Sequence, residues 1–340
     1  MSPYSDRRYL ASKKTVDDRA LNKDVLARLR TELSLQAESP VRVLEIGGGL
    51  GTMVARLVDW NVLPRTDYEL VDADAHLLDD ARDWLGAWAK PKGYVLDDSA
   101  DGVRIRSASA DVSLTFVRAE IGEYLNRDPA SPPADGLVSG RSGSPPADGL
   151  VSGRSGSPPA DLLIANAFMD LVDVPTVLPG LLRRVAPGGL CWFSINYDGE
   201  TILLPEHSDD ATFMRVYNRS MDERIRFGRP AGDSKTGRRM FHHLARAGAT
   251  VLAAGASDWV VHPQARESPA SGNAYEADEE YFLHHIIHTI EEELERHAEI
   301  EPQALSRWGA LRHDQARRGE LVYVAHQLDF VARCAGKTAP

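Results

Sequence analysis

Apolar positions along this chain switch repeatedly between a strand period and a helix period. Val41, Val43, Leu44 and Ile46 form the continuous apolar run of a buried parallel strand. Met53, Val54, Leu57 and Trp60 then recur at helical spacing. Asp67 to Asp74 reads as a short strand ending in acid. The helix after it puts Leu77, Leu78, Ala81, Trp84, Leu85 and Trp88 on one face and turns Asp79, Asp80, Arg82 and Asp83 outward, until Lys90-Pro91-Lys92-Gly93 stops it.

The alternation continues. Residues 94–118 hold two β-rich pieces, expected to be a hairpin-like addition and the third sheet strand, and Ile121 to Asn126 is a short helix. Asp161 to Phe168 resumes the sheet, followed by a helix over 174–189 and a strand over 190–198, with Pro187-Gly188-Gly189 as the stop between them. Glu206 to Arg229 is mixed and Arg-rich, and suggests an inserted lid. A helix over 236–249, strands over 250–261 and 320–331, and a long helix from Glu279 to His297 complete the pattern. Such alternation predicts a doubly wound α/β fold, a seven-strand, mostly parallel sheet covered on both faces with an antiparallel edge. The chain divides into an N-terminal helical cap (1–40), an α/β core (41–200), a lid (201–235) and a C-terminal completion of the core with a helical addition (236–335).

One segment breaks the pattern. SPPADGLVSGRSG occurs at 131–143 and again at 144–156, and begins a third time at 157–161. A solenoid needs units of about 20 or more residues that bury a face on their neighbours. This unit is shorter, rich in Pro, Gly and Ser, and has only Leu and Val to bury, so a disordered loop over 129–160 is expected.

Composition narrows the function. A chain of 340 residues with 43% hydrophobic content builds a real core, and a net charge of −11 argues against a general nucleic-acid surface. Cys191 and Cys334, the only cysteines, support neither a disulfide framework nor a Cys-based zinc site. No apolar run reaches the roughly 20 residues of a membrane helix, and the N-terminus lacks a secretory h-region. The expectation is a cytoplasmic protein with a small-molecule substrate, no nucleic-acid or membrane partner and no metal; a monomer and a homodimer both remain open.

The chemistry starts where the first strand ends. Glu45 is followed by Gly47, Gly48, Gly49 and Gly51, and then by Thr52 at the start of a helix. Glycines there adopt positive φ and hold no Cβ against a ligand, while the helix offers unpaired N–H groups. The dinucleotide fingerprint wants glycine at the first, third and sixth positions; counted from Gly47, the sixth is Thr52. That count disfavours an NAD(P)-dependent oxidoreductase, the main alternative.

Glu45-x-Gly47-x-Gly49-x-Gly51 resembles the first motif of class I S-adenosylmethionine (S-adenosyl-L-methionine, SAM) dependent methyltransferases, of the Rossmann-like, small-molecule type. The likeness runs from Val41 to Ser194 and includes the Pro-Gly-Gly turn. It implies SAM as cofactor, with Glu45 meeting the methionine ammonium directly or through water, Gly47, Gly48, Gly49, Gly51 and Thr52 forming the cradle, and Asp72 with Ala73 holding the ribose. By the same resemblance Glu120 accepts from the adenine amino group, Ile121 supplies the amide to a ring nitrogen, and Asn166 and Ala167 mark the edge where donor and acceptor meet. The family more often carries Asp where this chain has Glu120. Asp74 reads as the N-cap of the next helix.

On the acceptor side the sequence is less specific. Asn166-Ala167-Phe168-Met169 departs from the Asn/Asp-Pro-Pro-aromatic pattern of enzymes that methylate nucleobase or amide nitrogens. The remaining expectation is methyl transfer to O, N or C of a small molecule, or else a non-catalytic SAM-binding protein of the same fold. Tyr9, Phe168, Asp170, Tyr197 and Asp258 are candidate substrate residues, and Asp170, Tyr197, Asp198, Asp258 and the histidines candidate bases, none singled out. Tyr4 and Tyr9 sit in a segment that closes over the site in many small-molecule methyltransferases. His284 and His288 stand one helical turn apart, a spacing that can hold a metal, but they lie off the apolar face of Leu283, Ile286, Ile287, Ile290 and Leu294, which favours a solvated or rim position.

Overall fold

A computed structural model describes residues 4–36, 40–99, 102–127, 158–226, 228–265 and 273–336. Most of the tandem repeat lies outside the described residues. Helices α1 (Asp6–Ser12), α2 (Lys14–Ala20) and α3 (Lys23–Gln36) precede β1 (Val41–Ile46), α4 (Thr52–Asp59), β2 (Arg65–Asp72) and α5 (Ala75–Ala89). The hairpin β3 (Val95–Ser99) and β4 (Gly102–Arg106) leads into β5 (Asp111–Arg118) and α6 (Ile121–Asn126). Next come β6 (Ala160–Asn166), α7 (Val174–Leu182), the long β7 (Val185–Leu204), α8 (Asp210–Glu223), the two-residue strands β8 (Ile225–Arg226) and β9 (Arg229–Pro230), and α9 (Thr236–Arg246). The chain finishes with β10 (Ala249–Ala256), β11 (Trp259–Val261), the short β12 (Gln264–Ala265) and β13 (Asn273–Ala274), α10 (Glu279–Leu294), α11 (Pro302–Arg317) and β14 (Val322–Cys334).

The sheet runs β10-β14-β7-β6-β1-β2-β5-β4-β3, with β11 also on β14. Its centre, β5 to β7, is parallel throughout. Antiparallel pairing flanks this centre on both sides, since β14 runs inverted between β7 and β10 while the β3–β4 hairpin extends the opposite edge. Without that hairpin and the short β11, seven strands remain. The expected fold class is present, with the inverted C-terminal strand one place in from the edge.

Alternate side chains feed two cores. Val41 and Val43 of β1 join Leu70, Trp192, Leu29 and Leu57 on one face, whereas Leu44 and Ile46 join Leu163, Phe193, Leu181 and Leu244 on the other. Cys191 and Cys334, on adjacent strands, bring their buried thiols to 3.6 Å.

Two segments depart from the sequence reading. The helix expected to reach Gly189 ends at Leu182, because the sheet takes the chain first: Ala160 donates to the Arg184 carbonyl at 2.8 Å and pairs with Val185. The lid segment contains α8, which buries Phe213, Met214, Val216 and Met221; interleaved arginines and acids obscure their helical spacing in the sequence. Helix α11 was not expected either, and packs on α10.

The N-terminal helices are clamped to the sheet through ion pairs that exclude water. Arg56 of α4 is 0% exposed; it pairs with Asp17 at 3.1 Å, binds Asp18 and donates to the Lys14 carbonyl at 3.4 Å. Asp17, also 0% exposed, accepts from Trp259 Nε1 at 2.9 Å and faces Lys13 Nζ at 3.3 Å. Every charge in the clamp meets an opposite charge or a donor.

Candidate active site

Because β1, β2, β5 and β6 are parallel, their carboxyl ends share one edge of the sheet. The connection leaves β1 toward β2 and returns later at β6, so the glycine turn sits where the winding reverses, the place at which open α/β sheets bind ligands.

Gly47, Gly49 and Gly51 all have positive φ, at 68°, 50° and 71°. At Gly47 a Cβ would meet the Phe168 ring at 2.5 Å, so the ring at the end of β6 packs on bare backbone. At Gly49 the nearest atom to such a Cβ is Leu10 Cδ1 of α1, at 3.0 Å, which brings the N-terminal cap directly over the turn. Gly47 and Gly48 N–H groups go to the Val71 carbonyl at 2.8 and 3.3 Å, tying the turn to β2. Thr52 opens α4, its hydroxyl accepting from Arg56 at 3.2 Å.

Asp72 ends β2, half-buried beside the turn. Its Oδ2 accepts from Gly49 N–H at 2.9 Å and its Oδ1 from Asp74 N–H at 3.0 Å, and burial raises its pKa. The Ala73 amide bonds the carboxylate as well, which leaves part of its acceptor capacity free. Asp74 caps α5 through His76 and Leu77 amides, as expected, and Ala73 between them is exposed.

Glu45 is nearly sealed, at 2% exposure, and its Oε2 accepts from Tyr68 Oη at 2.8 Å. Desolvation pushes its pKa up to about 8 against the opposing effects of the Tyr68 hydrogen bond and Arg56. Glu120 is the N-cap residue of α6 but makes no side-chain cap; it stays exposed, with Ile121 half-buried behind it. Asn166 accepts from Ser194 Oγ at 2.8 Å, and Ala167, with φ of 51°, donates to the Ser194 carbonyl at 2.9 Å. The left-handed Ala167 is the bend that swings Phe168 over Gly47.

Beyond Phe168 a cluster of half-buried polar side chains, the cleft, gathers Tyr9, Asp170 and Tyr217, with Asp170 close enough to both tyrosines to raise their pKa. Tyr9 is held by stacking on His285, 4.1 Å between ring centroids, and on Phe282 at 5.9 Å. Asp170 Oδ1 is buried with no partner, and desolvation raises the Asp170 pKa to about 6 although Lys13 and Arg224 pull it down. Burial raises Tyr9 and Tyr217 as well.

The other two candidate substrate residues are engaged by hydrogen bonds within the protein. Tyr197 is 8% exposed and its hydroxyl is shared between Thr201 at 3.0 Å and Asn218 at 2.9 Å. Asp258 sits in the turn between β10 and β11, accepting from Gln327 N–H at 3.1 Å and contacting His326 Nδ1 at 2.8 Å. Asp198 is engaged by Arg238 at 2.8 Å. Of the histidines, His284 meets His313 Nδ1 to Nδ1 at 2.7 Å, and His288 stacks on Tyr4 at 4.4 Å. Among the described residues no group of three His, Cys, Asp or Glu is placed to hold a metal. A groove of about 520 Å³ between the end of β7 and α8 is lined by Glu200, Arg215 and Arg219 and touches none of the strand-end residues. That groove is open to solvent.

Sequence reasoning missed Tyr217 and Arg224. Their signal was the helical spacing of Phe213, Met214, Tyr217 and Met221, which marks α8 and places residue 217 on its inner face.

No family model and no curated protein matches the chain. Solved structures do. Cyclopropane synthase MmaA2 from Mycobacterium tuberculosis is 10% identical, with 98% of this chain and 100% of that one covered and a TM-score of 0.41. A SAM-dependent methyltransferase from Methanosarcina mazei is 8% identical over 90% of this chain and 97% of that one, at 0.41. A putative sarcosine dimethylglycine methyltransferase from Galdieria sulphuraria is 11% identical over 92% and 84%, at 0.39. A likeness at this level says nothing of a substrate. The strand order, the inverted seventh strand and the glycine turn at the winding reversal define a Rossmann-like fold of the methyltransferase type. No helix among the described residues is long and apolar enough to cross a membrane.

Proposed function

We propose that this chain is a SAM-dependent methyltransferase acting on a small molecule. The observation that carries the reading is the turn from Gly47 to Gly51, left-handed at three glycines and flanked by two carboxylates, at the carboxyl ends of the parallel strands. The residues suit a nucleoside with a cationic tail. Asp72 has acceptor capacity to spare for ribose hydroxyls, and Glu45 has one oxygen engaged by Tyr68 and the other left for an ammonium. Glu120 and the Ile121 amide stand at the end of the next strand, where an adenine would reach them, and Asn166 and Ala167 border the cleft.

Bound SAM supplies an electrophilic methyl on a sulfonium. The chain's own contribution is to align an acceptor with it, and positioning of this kind supplies up to about 7–11 kcal/mol. Phe168 and Tyr9 wall the space between cofactor edge and cleft, and the N-terminal helices over the turn exclude water. Helix α8 and the cap helices α1 to α3 together form a lid of which Tyr9 and Tyr217 are the inner surface. Calorimetry with SAM, S-adenosylhomocysteine and NAD tests the proposal: the first two bind and NAD does not, whereas NAD binding without SAM binding sinks it.

A further inference from the structure

The partly or fully buried arginines of this protein are almost all committed. Arg56 holds Asp17 and Asp18, Arg312 holds Asp210, Arg333 holds Glu32, and Arg184 donates to three backbone carbonyls. Arg224 differs. Half-buried at the carboxyl end of α8, its guanidinium pairs with no carboxylate and no carbonyl among the described residues. It is near enough to Asp170 and Tyr217 to lower the pKa of both. The backbone holds it there, for Ala231 N–H donates to the Arg224 carbonyl at 2.9 Å, Gly232 packs against Arg224 Cβ, and Asp233 N–H donates to the Asp170 carbonyl at 3.3 Å.

The cleft therefore holds two groups of opposite sign without a protein partner, one sealed and the other reached by solvent. Asp170 Oδ1 is buried without a donor, and the Arg224 guanidinium is without an acceptor, although the two belong to neighbouring loops. Closing on each other would have satisfied both, as it does for Arg56 and Asp17. Held apart, they match a ligand with charges of both signs: a guanidinium fork recognises a carboxylate or phosphate, and a buried carboxylate beside the faces of Tyr9, Tyr217 and Phe168 recognises an ammonium.

We infer that the methyl acceptor is an amine that also carries an anionic group, as in an amino acid, its nitrogen lying against Asp170 and its anion against Arg224. The inference rests on the methyltransferase reading of the same site. The ionised Asp170 takes one proton from the ammonium; the freed nitrogen lone pair forms the new N–C bond to the methyl carbon; the C–S bond breaks and its electron pair stays on sulfur, which becomes a neutral thioether. An aliphatic ammonium loses its proton at about pH 10, within reach of a buried carboxylate, whereas an alcohol lies far higher, so the proton transfer suits nitrogen. Lys13, Arg224, Asp233, Tyr9 and Tyr217 are the charged and titratable groups facing Asp170, and Lys13 is held by Asp17 at 3.3 Å.

The test uses the full chain saturated with SAM and a panel of the common amino acids, ω-amino acids and aminoalkyl phosphates, together with simple amines and simple acids that each lack one charge. Mass spectrometry reads methylated product. Product is expected from at least one doubly charged acceptor and from no singly charged one. Arg224→Gln should then raise KM about tenfold or more with kcat nearly kept, Arg224→Lys should recover part of that loss, and Asp170→Asn should lower kcat about 100-fold or more. All three should bind S-adenosylhomocysteine as the wild type does, which shows that they are folded. If S-adenosylhomocysteine binds but no doubly charged acceptor is methylated, or simple amines serve equally well, or Arg224→Gln keeps the wild-type KM, the inference falls while the methyltransferase reading stands. Failure of the wild type to bind S-adenosylhomocysteine overturns both.

Discussion

The clamp under the N-terminal helices and the cleft beside it are built from the same kinds of side chain, and they end in opposite states. In the clamp, Arg56, Asp17, Lys13 and Trp259 close on one another until no charge lacks a partner. In the cleft, Arg224, Asp170, Tyr9 and Tyr217 lie close without closing. A buried charge is costly unless it is paired, so a protein that can pair its charges and leaves some apart is holding them for something else. The clamp is a structural device, and the cleft is the place we propose for binding.

The two regions should respond differently to substitution. Arg56→Ala leaves Asp17 and Asp18 without their buried partner and should destabilise the protein by about 3–5 kcal/mol, read as a lowered midpoint in urea; a loss below about 1 kcal/mol would show that the clamp is wetter than its geometry implies. Asp72→Ala should weaken S-adenosylhomocysteine by about 1.5–3 kcal/mol, measured by calorimetry. Unchanged affinity would place the cofactor elsewhere.

Acidity supplies the third comparison. Glu45 and Asp170 keep protons in the folded state, to about pH 8 and about pH 6, that the unfolded chain releases near the ordinary carboxylate values. A raised carboxyl pKa removes stability as pH rises, each unit realised being about 1.4 kcal/mol. Glu45→Gln should therefore gain on the wild type in thermal midpoint between pH 5 and pH 8, and Asp170→Asn between pH 4 and pH 6, with each difference level above its range. Equal gain at all pH values would contradict the shifts. The smallest effect belongs to Arg224→Ala, which removes no folded-state pair and should change the urea midpoint by no more than about 0.5 kcal/mol; a loss as large as that of Arg56→Ala would erase the distinction between clamp and cleft.

Much of the parallel sheet was legible because strand and helix periods are short-range properties, and the turn from Glu45 to Gly51 was legible because positive φ nearly demands glycine. Asp74 could be read as a cap for the same local reason. Helix α8 escaped because Arg215 and Arg219 interrupt its apolar spacing, and the helix before β7 was drawn too long because strand pairing at Ala160 and Val185 overrides local preference. Tyr197 and Asp258 looked as eligible as Asp170. Their hydrogen bonds, to Asn218 and Thr201 and to His326 and Gln327, are made across segments that no spacing rule connects.

By itself, then, the sequence determined the alternating elements, the glycine turn and the carboxylates at the ends of β1 and β2, since each depends on residues a few positions apart. Only the tertiary structure decided which charges are paired. Asp17 and Arg56 are 39 residues apart and meet, while Asp170 and Arg224 are brought to one cleft and kept from meeting. Pairing depends on distances set by the whole packed sheet, and the burial that gives an unpaired charge its meaning exists only once that sheet has formed.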